Sequence, residues 1–493
     1  MIDLSDLLLA GPAILITAAI SALLIAILAF ALDAGTRWRL EWMDGLFILT
    51  PLIMVVSILM TQRIVYPEGS PEWLLTSTDD DQAVWPSRIA NFLCVAIAVE
   101  RGLRFLLKGE YRQAKGWGLL WALMAYIISV NLIASVLGSE GGFTHKLVYA
   151  PLIAVAVFAY AQNSLNRCIH ITRNSLFVFM LAGLMLLPVK PEFVADTRYA
   201  TGIIPGFHLR YYSFATHPNS LAPMCLLLLS TLRLAPYRQR WLTVAAAASA
   251  VISLLLTQSK TSVALVGGGF LLLFAVDYVA NAPKKSVMAS QNRSIGVIVL
   301  MLGSVFAAGV AAVLALMLNP MLLDRVNSLM DRMQLTTLTG RTAIWAATLD
   351  AAKDNPLFGY GPTLWGVEFR MRVGIFVAHS HSQFLQAYGE AGYVGLLSLL
   401  VYIFTLLVAC WKVRKETRGV SVLLAAFVVL RGFTEVPLLV AGVLQPEFMM
   451  QMFILVLCAA YYPPASAPAV QRSRGIGKAK LDRSRLIQAG KGA

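Results

Sequence analysis

Residues 392–410 read GYVGLLSLLVYIFTLLVAC, nineteen residues without a charge. A run of that length and character matches the roughly 20 residues a helix needs to cross the hydrocarbon of a bilayer. Backbone groups in lipid have no water to bond, so such a segment satisfies itself as a helix. The pattern recurs in both directions along the chain. Apolar runs fall near 8–32, 43–61, 89–106, 117–137, 147–162, 175–189, 219–232, 241–256, 262–281, 295–318, 392–410, 421–440 and 442–461. Hydrophobic residues make up 58% of the chain and charged residues 13%, against roughly 25% charged in a soluble domain. The composition excludes a soluble globular protein. It predicts an all-α, polytopic membrane bundle of twelve or thirteen transmembrane helices, the three shortest runs leaving the count open. The run Leu7–Leu32 is too long for the core of a signal peptide and reads as the first span. The five cysteines lie in or beside spans without a C-x-x-C pair, as small apolar packing residues do.

Orientation follows the positive-inside rule. Alternate connections and the C-terminal tail carry 26 of the 40 Lys and Arg residues, the opposite side thirteen, and Arg431 lies within an apolar run. The basic set is expected to face the cytoplasm, with the tail inside and, for thirteen spans, the N-terminus outside. The net charge of +14 is therefore largely a topology signal and does not indicate a nucleic-acid partner. The division expected is an N-terminal transmembrane bundle (1–318), a large external loop (319–391), C-terminal transmembrane helices (392–462) and a basic, phospholipid-facing tail (463–493).

The 73-residue loop carries helix signals. In MLLDRVNSLMDRM, residues Leu322, Val326, Leu329, Met330 and Met333 share one face, as in a helix lying on a membrane surface. TGRTAIWAATLDAAKDNP predicts a second helix, with Thr339 as its N-cap and Asn355-Pro356 as its stop. LFGYGP then turns the chain. GGG at 267–269 lies within a span, where small residues permit close helix packing.

Polar residues on the external face need explaining. Singly, each has an ordinary role. Arg210 suits an interfacial anchor, His217 before Pro218 a loop end, and Lys260 a snorkelling side chain. Arg341 suits pairing with Asp350 or Asp354, and Arg370 and Arg372 a solvated face. Arg431 and Glu435, spaced i,i+4 in a span, suit pairing with each other. His379 and His381 raise the question of a metal. No cysteine or carboxylate cluster stands near them in sequence to supply further ligands, so neither metal nor cofactor is expected. Together these residues put an excess of cations at the mouth of an apolar bundle. That suits an anion at a membrane surface, such as a lipid phosphate or diphosphate. A histidine beside it can take a proton near neutral pH. The set fits transfer of a group from a lipid diphosphate, the cations stabilising the leaving group and the base activating an acceptor hydroxyl.

GRTAIWAATLDAAKDNPLFGYGP followed by HSQFLQAYGEAGYVG resembles the large periplasmic loop of the O-antigen ligase and polysaccharide polymerase superfamily. The shared pattern is a Gly-Arg…Trp helix, a Pro-x-x-Gly-x-Gly turn (Pro356, Gly359, Gly361), then His381, Ser382, nine residues, Gly392 and Gly395. HPNSLAP before one span and QSKTS at the next external turn resemble its exopolysaccharide and O-antigen polymerase branch. The likeness covers roughly residues 205–440. It implies a bacterial inner-membrane enzyme acting at the periplasmic face. Such enzymes move a glycan from undecaprenyl pyrophosphate to a sugar hydroxyl, with inversion and without metal or nucleotide sugar. Carried over by position, Arg341 and Lys260 bind the diphosphate and Arg210 assists. Lys260, where many members have Arg, keeps the charge and loses the planar fork. His381 is the base: counting back from Gly392 and Gly395 reaches it, whereas counting on from His379 reaches Glu390. His379 and His217 stand at the site's edge, and Arg370, Arg372, Arg431 and Glu435 are further substrate-binding candidates.

Three readings stay open. A polymerase uses a lipid-linked repeat unit as acceptor, with a chain-length regulator as a further partner. A ligase uses lipid A-core. A transporter of an anionic solute also explains a cationic mouth, but predicts inverted repeats and broken helices at mid-membrane, neither of which is clear in the sequence.

Overall fold

The computed structural model describes residues 33, 41–61, 81–197, 199, 208–215, 217–281, 339–440 and 442–461. The expected spans 8–32 and 295–318, the surface helix 321–333 and the tail 463–493 lie outside them.

Within them the apolar runs are helices. These are α1 (Asp44–Thr61), α2 (Asp81–Leu107), α3 (Trp117–Leu137, with a π turn at Ile128–Ile133) and α4 (Tyr149–Leu186). They are followed by α5 (Pro218–Leu234), α6 (Arg240–Leu256) and α7 (Lys260–Asn281). Two shorter helices, α8 (Thr339–Ala351) and α9 (Val367–Val373), precede α10 (Gln383–Lys412), α11 (Val420–Arg431) and α12 (Pro446–Tyr461). The one sheet among the described residues pairs β1 (Ala195–Asp196) antiparallel with β2 (Arg210–Tyr211). The protein is an all-α membrane bundle. By length and apolar character three of the described helices, Trp117–Leu137, His145–Leu186 and Gln383–Lys412, are able to cross a membrane, and five further apolar helices are shorter.

α4 merges two of the expected spans. Ser164 (φ −126°, ψ 20°) breaks it. Near the break Arg167 pairs with Asp44 at the start of α1. The other ends of both halves lie elsewhere: Leu147, just before α4, accepts a hydrogen bond from Asn131, and Gly183 lies against Tyr211 and Ser213. α4 packs against α1, α2, α5 and α12, and the stretch before its break, residues 153–161, is almost wholly buried.

Three local expectations change. The second external helix begins at Thr339, so Thr339 is its first residue and no longer its preceding cap. Gly267 and Gly268 are exposed, and a Cβ on either meets nothing within 4 Å among the described residues; only Gly269 lies close to a neighbour, Leu423. The glycines of the G-x-x-G pattern do not turn a loop into a span, because α10 already starts at Gln383. They break it instead, at Ala391 (φ −133°) and Gly392 (φ 59°, ψ −151°).

At that break two distant motifs hydrogen-bond to each other. The Tyr360 and Gly361 amides donate to the carbonyls of Gly389 and Glu390, at 2.8 and 2.9 Å. The Tyr393 and Val394 amides donate to Pro356 and Leu357, at 2.9 and 3.2 Å. In an unbroken helix residues 393 and 394 would bond to 389 and 390. Here the PLFGYG turn is spliced between them, and four bonds replace two. Gly359 (φ 73°) makes room for this, since its Cβ would sit 2.6 Å from the Ala391 amide nitrogen. Asn355 fixes the start of the turn, donating to Leu137 O (2.6 Å) and accepting from the Phe358 amide (3.2 Å). A small core of Ile344, Tyr360, Leu364, Trp365, Phe369 and Val377 holds the rest of the loop together.

Candidate active site

The splice holds the start of α10 in place, and with it the two histidines. Ser382 is the N-cap of α10. Gln383 anchors the junction on three sides: its amide donates to Gly432 O (2.8 Å), its side-chain oxygen accepts from the Leu438 amide (2.7 Å), and its side-chain nitrogen donates to Tyr126 (2.8 Å). These bonds fix segment 432–438 beside the histidines. Within that segment stands Glu435, 6% exposed.

Glu435 is the hub. His381 Nδ1 lies 3.2 Å from Glu435 Oε2, and His379 Nε2 3.9 Å from the same oxygen. On the other oxygen, Arg341 Nη2 approaches to 3.3 Å and Asn219 Nδ2 donates at 2.7 Å. Ser259 Oγ in turn donates to Asn219 Oδ1 at 3.0 Å, and the next residue is Lys260, which begins α7. Three separate stretches of chain thus meet on one carboxylate, and a fourth joins through Asn219.

Each partner is placed for a local reason. Arg341 and Trp345 share a face of α8, four residues apart. The first reaches Glu435, and the indole of the second donates to Ser380 O at 3.0 Å. In HPNSLAP, His217 caps α5 by accepting the Asn219 amide on Nδ1 (3.1 Å), and Pro218 occupies the first helical position. His381 has φ 51°, a left-handed conformation that a non-glycine residue adopts at a cost of about 1–2 kcal/mol. Its amide donates to His379 Nδ1 at 3.2 Å, and the two rings meet edge-on at 4.5 Å.

Burial acts to raise the Glu435 pKa. The hydrogen bond from His381 and the charges of His381, His379 and Arg431 outweigh it and push the value down to about 2, from 4.5. An ionised carboxylate only accepts, so the proton in this contact sits on His381 Nδ1. A folded pKa below the unfolded one stabilises the fold above the unfolded value, and that gain is lost as pH falls through the folded value. Glu435→Gln is therefore expected to unfold at a lower temperature than the parent at pH 7. The gap should close as pH is lowered from 4.5 toward about 2. A gap constant across that window would show that the ionised carboxylate contributes nothing.

The remaining candidates sort themselves by their partners. Arg210 lies on the α6–α7 turn, donating to Thr257 O at 3.4 Å with its guanidinium 4.6 Å from the Tyr199 ring. Arg341 does not pair with Asp350, which Lys353 takes at 2.6 Å. Arg370 bonds Gly366 O at 3.3 Å, and Arg372 pairs with Glu140 at 3.6 Å and stacks on Tyr360 and Phe369. Arg370 and Arg372 thus support the loop and do not line the cavity described below. α11 ends at Arg431, so Arg431 and Glu435 do not share a span; Arg431 donates instead to Asn219 O. The metal question also changes. Glu435, remote in sequence, gives His379 and His381 a third ligand, the three ligand atoms lying within 4.8 Å of one another. Arg341 at the same carboxylate and Arg431 nearby oppose a cation there.

Beside Glu435 opens a cavity of about 750 Å³, lined in part by His217, Asn219, His379, Arg431, Trp365 and Glu447. Sequence reasoning passed over Asn219, Ser259 and Gln383 as roles, although all lie inside the motifs it quoted. Uncharged polar residues in the first turn of an apolar helix were the available signal.

The geometry defines a membrane-embedded helical protein with an arginine–carboxylate–histidine cluster at the end of its bundle. Residues 245–400 match the model of the family described as O-antigen ligase. The matched stretch contains Lys260, Arg341 and His381; Asn219 and Glu435 lie outside it and join it through the fold. No curated protein matches the sequence.

Proposed function

We propose that the protein is a polysaccharide polymerase of the periplasmic membrane face, transferring glycan from undecaprenyl pyrophosphate to a hydroxyl of a second lipid-linked repeat unit. The observation that carries this reading is the 3.2 Å contact of His381 Nδ1 with a carboxylate whose other oxygen is held by Arg341. It sets the His381 ring and the Arg341 guanidinium on either side of one fixed point. One edge of Arg341 is spent on Glu435 and its side chain stays 25% exposed, open to an anion.

The step balances without a cofactor. The acceptor oxygen attacks the anomeric carbon from the face opposite the diphosphate. The carbon–oxygen bond to the diphosphate breaks, and its electron pair leaves with the diphosphate. The acceptor proton passes to His381 Nε2. Glu435 stabilises the imidazolium that forms, as a carboxylate does in other His-dependent sites. Arg341, Lys260 and Arg210 offset the charge gathering on the leaving group. A ligase reading has the same chemistry with lipid A-core as acceptor, and the description of the matched family favours it.

Incubating membranes that contain the protein with lipid-linked repeat units alone separates the two. A ladder of products is expected. Transfer seen only when lipid A-core is added would make the protein a ligase, and no transfer with either acceptor would overturn glycan transfer itself.

A further inference from the structure

The cavity beside Glu435 extends beyond what proton transfer uses. It reaches between α1 and α2, where Met54 and Asn91 line it, and to the first turn of α12. There Glu447 accepts the Ser220 hydroxyl on Oε1 at 2.9 Å, and its second oxygen has no protein partner among the described residues. Among the described residues Arg431, 2% exposed, has no partner for Nε or Nη1, and Trp365, also 2% exposed, has none for its indole N–H. Two buried donor side chains beside a single cavity are thus left unsatisfied among the described residues, with the half-buried Glu447 carboxylate next to them. A buried polar group without a partner costs about 1–3 kcal/mol, so these walls gain from a ligand that bonds them. Trp365 is held at φ 63°, a second left-handed non-glycine residue of the site.

The charges narrow the ligand. Glu435 is committed to His381 and Arg341. Arg431 and Glu447 both line the cavity and carry opposite charges, so its wall has no net charge of one sign from this pair. A diphosphate or an acidic sugar would be repelled by Glu447. A neutral polyhydroxylated ring would not, because each hydroxyl both donates and accepts. The volume, about 750 Å³, lies within the roughly 300–1,000 Å³ typical of small-molecule sites.

We propose that this cavity is the acceptor-sugar subsite, in which Glu447, Arg431 and Trp365 hold a neutral pyranose while its reacting hydroxyl reaches His381. The assignment rests on the glycan-transfer reading above. It gives the acceptor its own binding wall, separate from the cations that serve the donor.

The test uses the full chain in lipid nanodiscs and saturation-transfer NMR. The probes are methyl glycosides of glucose, galactose and N-acetylglucosamine, with methyl galacturonate and inorganic pyrophosphate alongside. At least one neutral glycoside is expected to bind. Glu447→Gln, which keeps the bond from Ser220, should weaken it about 10–100-fold, and Trp365→Phe about 3–10-fold. Pyrophosphate binding should be unchanged in both. Should Glu447→Gln fail to fold, Trp365→Phe decides alone. No neutral glycoside bound, equal binding in all three proteins, or binding of the galacturonate only would overturn the subsite. Failure of the underlying reading looks different: the parent protein then transfers no glycan from lipid diphosphate, whatever sugars it binds.

Discussion

Replacing His381 by alanine is expected to lower glycan transfer by roughly 10²–10⁴-fold, the usual range for a lost general base. A sugar hydroxyl is a weak nucleophile, and with Nδ1 of His381 engaged by Glu435, Nε2 is the nitrogen proposed to take its proton. The loss should be confined to the chemical step. Arg341 and Asn219 still hold Glu435 in the variant, at 3.3 and 2.7 Å in the parent, so the cluster keeps its framework. Binding of pyrophosphate to the cations should therefore survive, and the protein should reach the membrane in normal amount. Single-turnover transfer with lipid-linked repeat units gives the rate, and pyrophosphate titration gives the binding. A variant as fast as the parent would remove His381 from the reaction. Equal loss of rate and pyrophosphate affinity would make it a binding residue.

The second large effect concerns assembly. Gly392→Ala is expected to destabilise the protein by about 3–5 kcal/mol, among the largest effects of single substitutions. Its backbone (φ 59°, ψ −151°) lies in a region that is essentially glycine's alone. A Cβ there would also overlap the Pro356 and Leu357 carbonyl groups, which receive the Tyr393 and Val394 amides. The substitution thus costs backbone energy and breaks the splice that positions the His379–His381 junction. Gly118→Ala is the control: Gly118 lies on α3 with nothing within 4 Å of its Cβ among the described residues. Thermal unfolding in detergent should separate the two clearly. Matching midpoints would mean that the turn and the helix do not depend on each other.

Much of this was legible in the sequence because lipid imposes it. A run such as 392–410 can only be a helix, and a cationic motif beside it can only face water or a ligand. Spacing also selected His381 over His379. What the sequence did not show was where helices stop inside apolar stretches. Residues 421–440 read as one span, yet α11 ends at Arg431 and the chain leaves the helix in order to carry Glu435. Hydropathy averages over a window and is blind to such an exit. The i,i+4 spacing of Arg431 and Glu435 suggested a pair, whereas Asn219 takes the arginine and His381 the glutamate. The break in α10 was hidden in the same way. Two glycines near a loop look like a turn, and only the PLFGYG segment, more than thirty residues earlier in the chain, explains why they interrupt a helix. Arg372 carried the right charge on the right loop, but Glu140, Tyr360 and Phe369 hold it, and Arg370 bonds Gly366 O.

The order in which the Glu435 partners occur along the chain bears on how the protein is made. Asn219, Ser259, Arg341, His379 and His381 all precede Glu435, and Glu447 follows it. Synthesis runs from the N-terminus, so the carboxylate that sets the His381 tautomer reaches the membrane after every group it organises. Until α11 has been inserted and segment 432–445 released, the growing chain has its cations but lacks the residue that arms its base. On the proposed reading, a partly inserted protein meets lipid-linked glycan without acting on it.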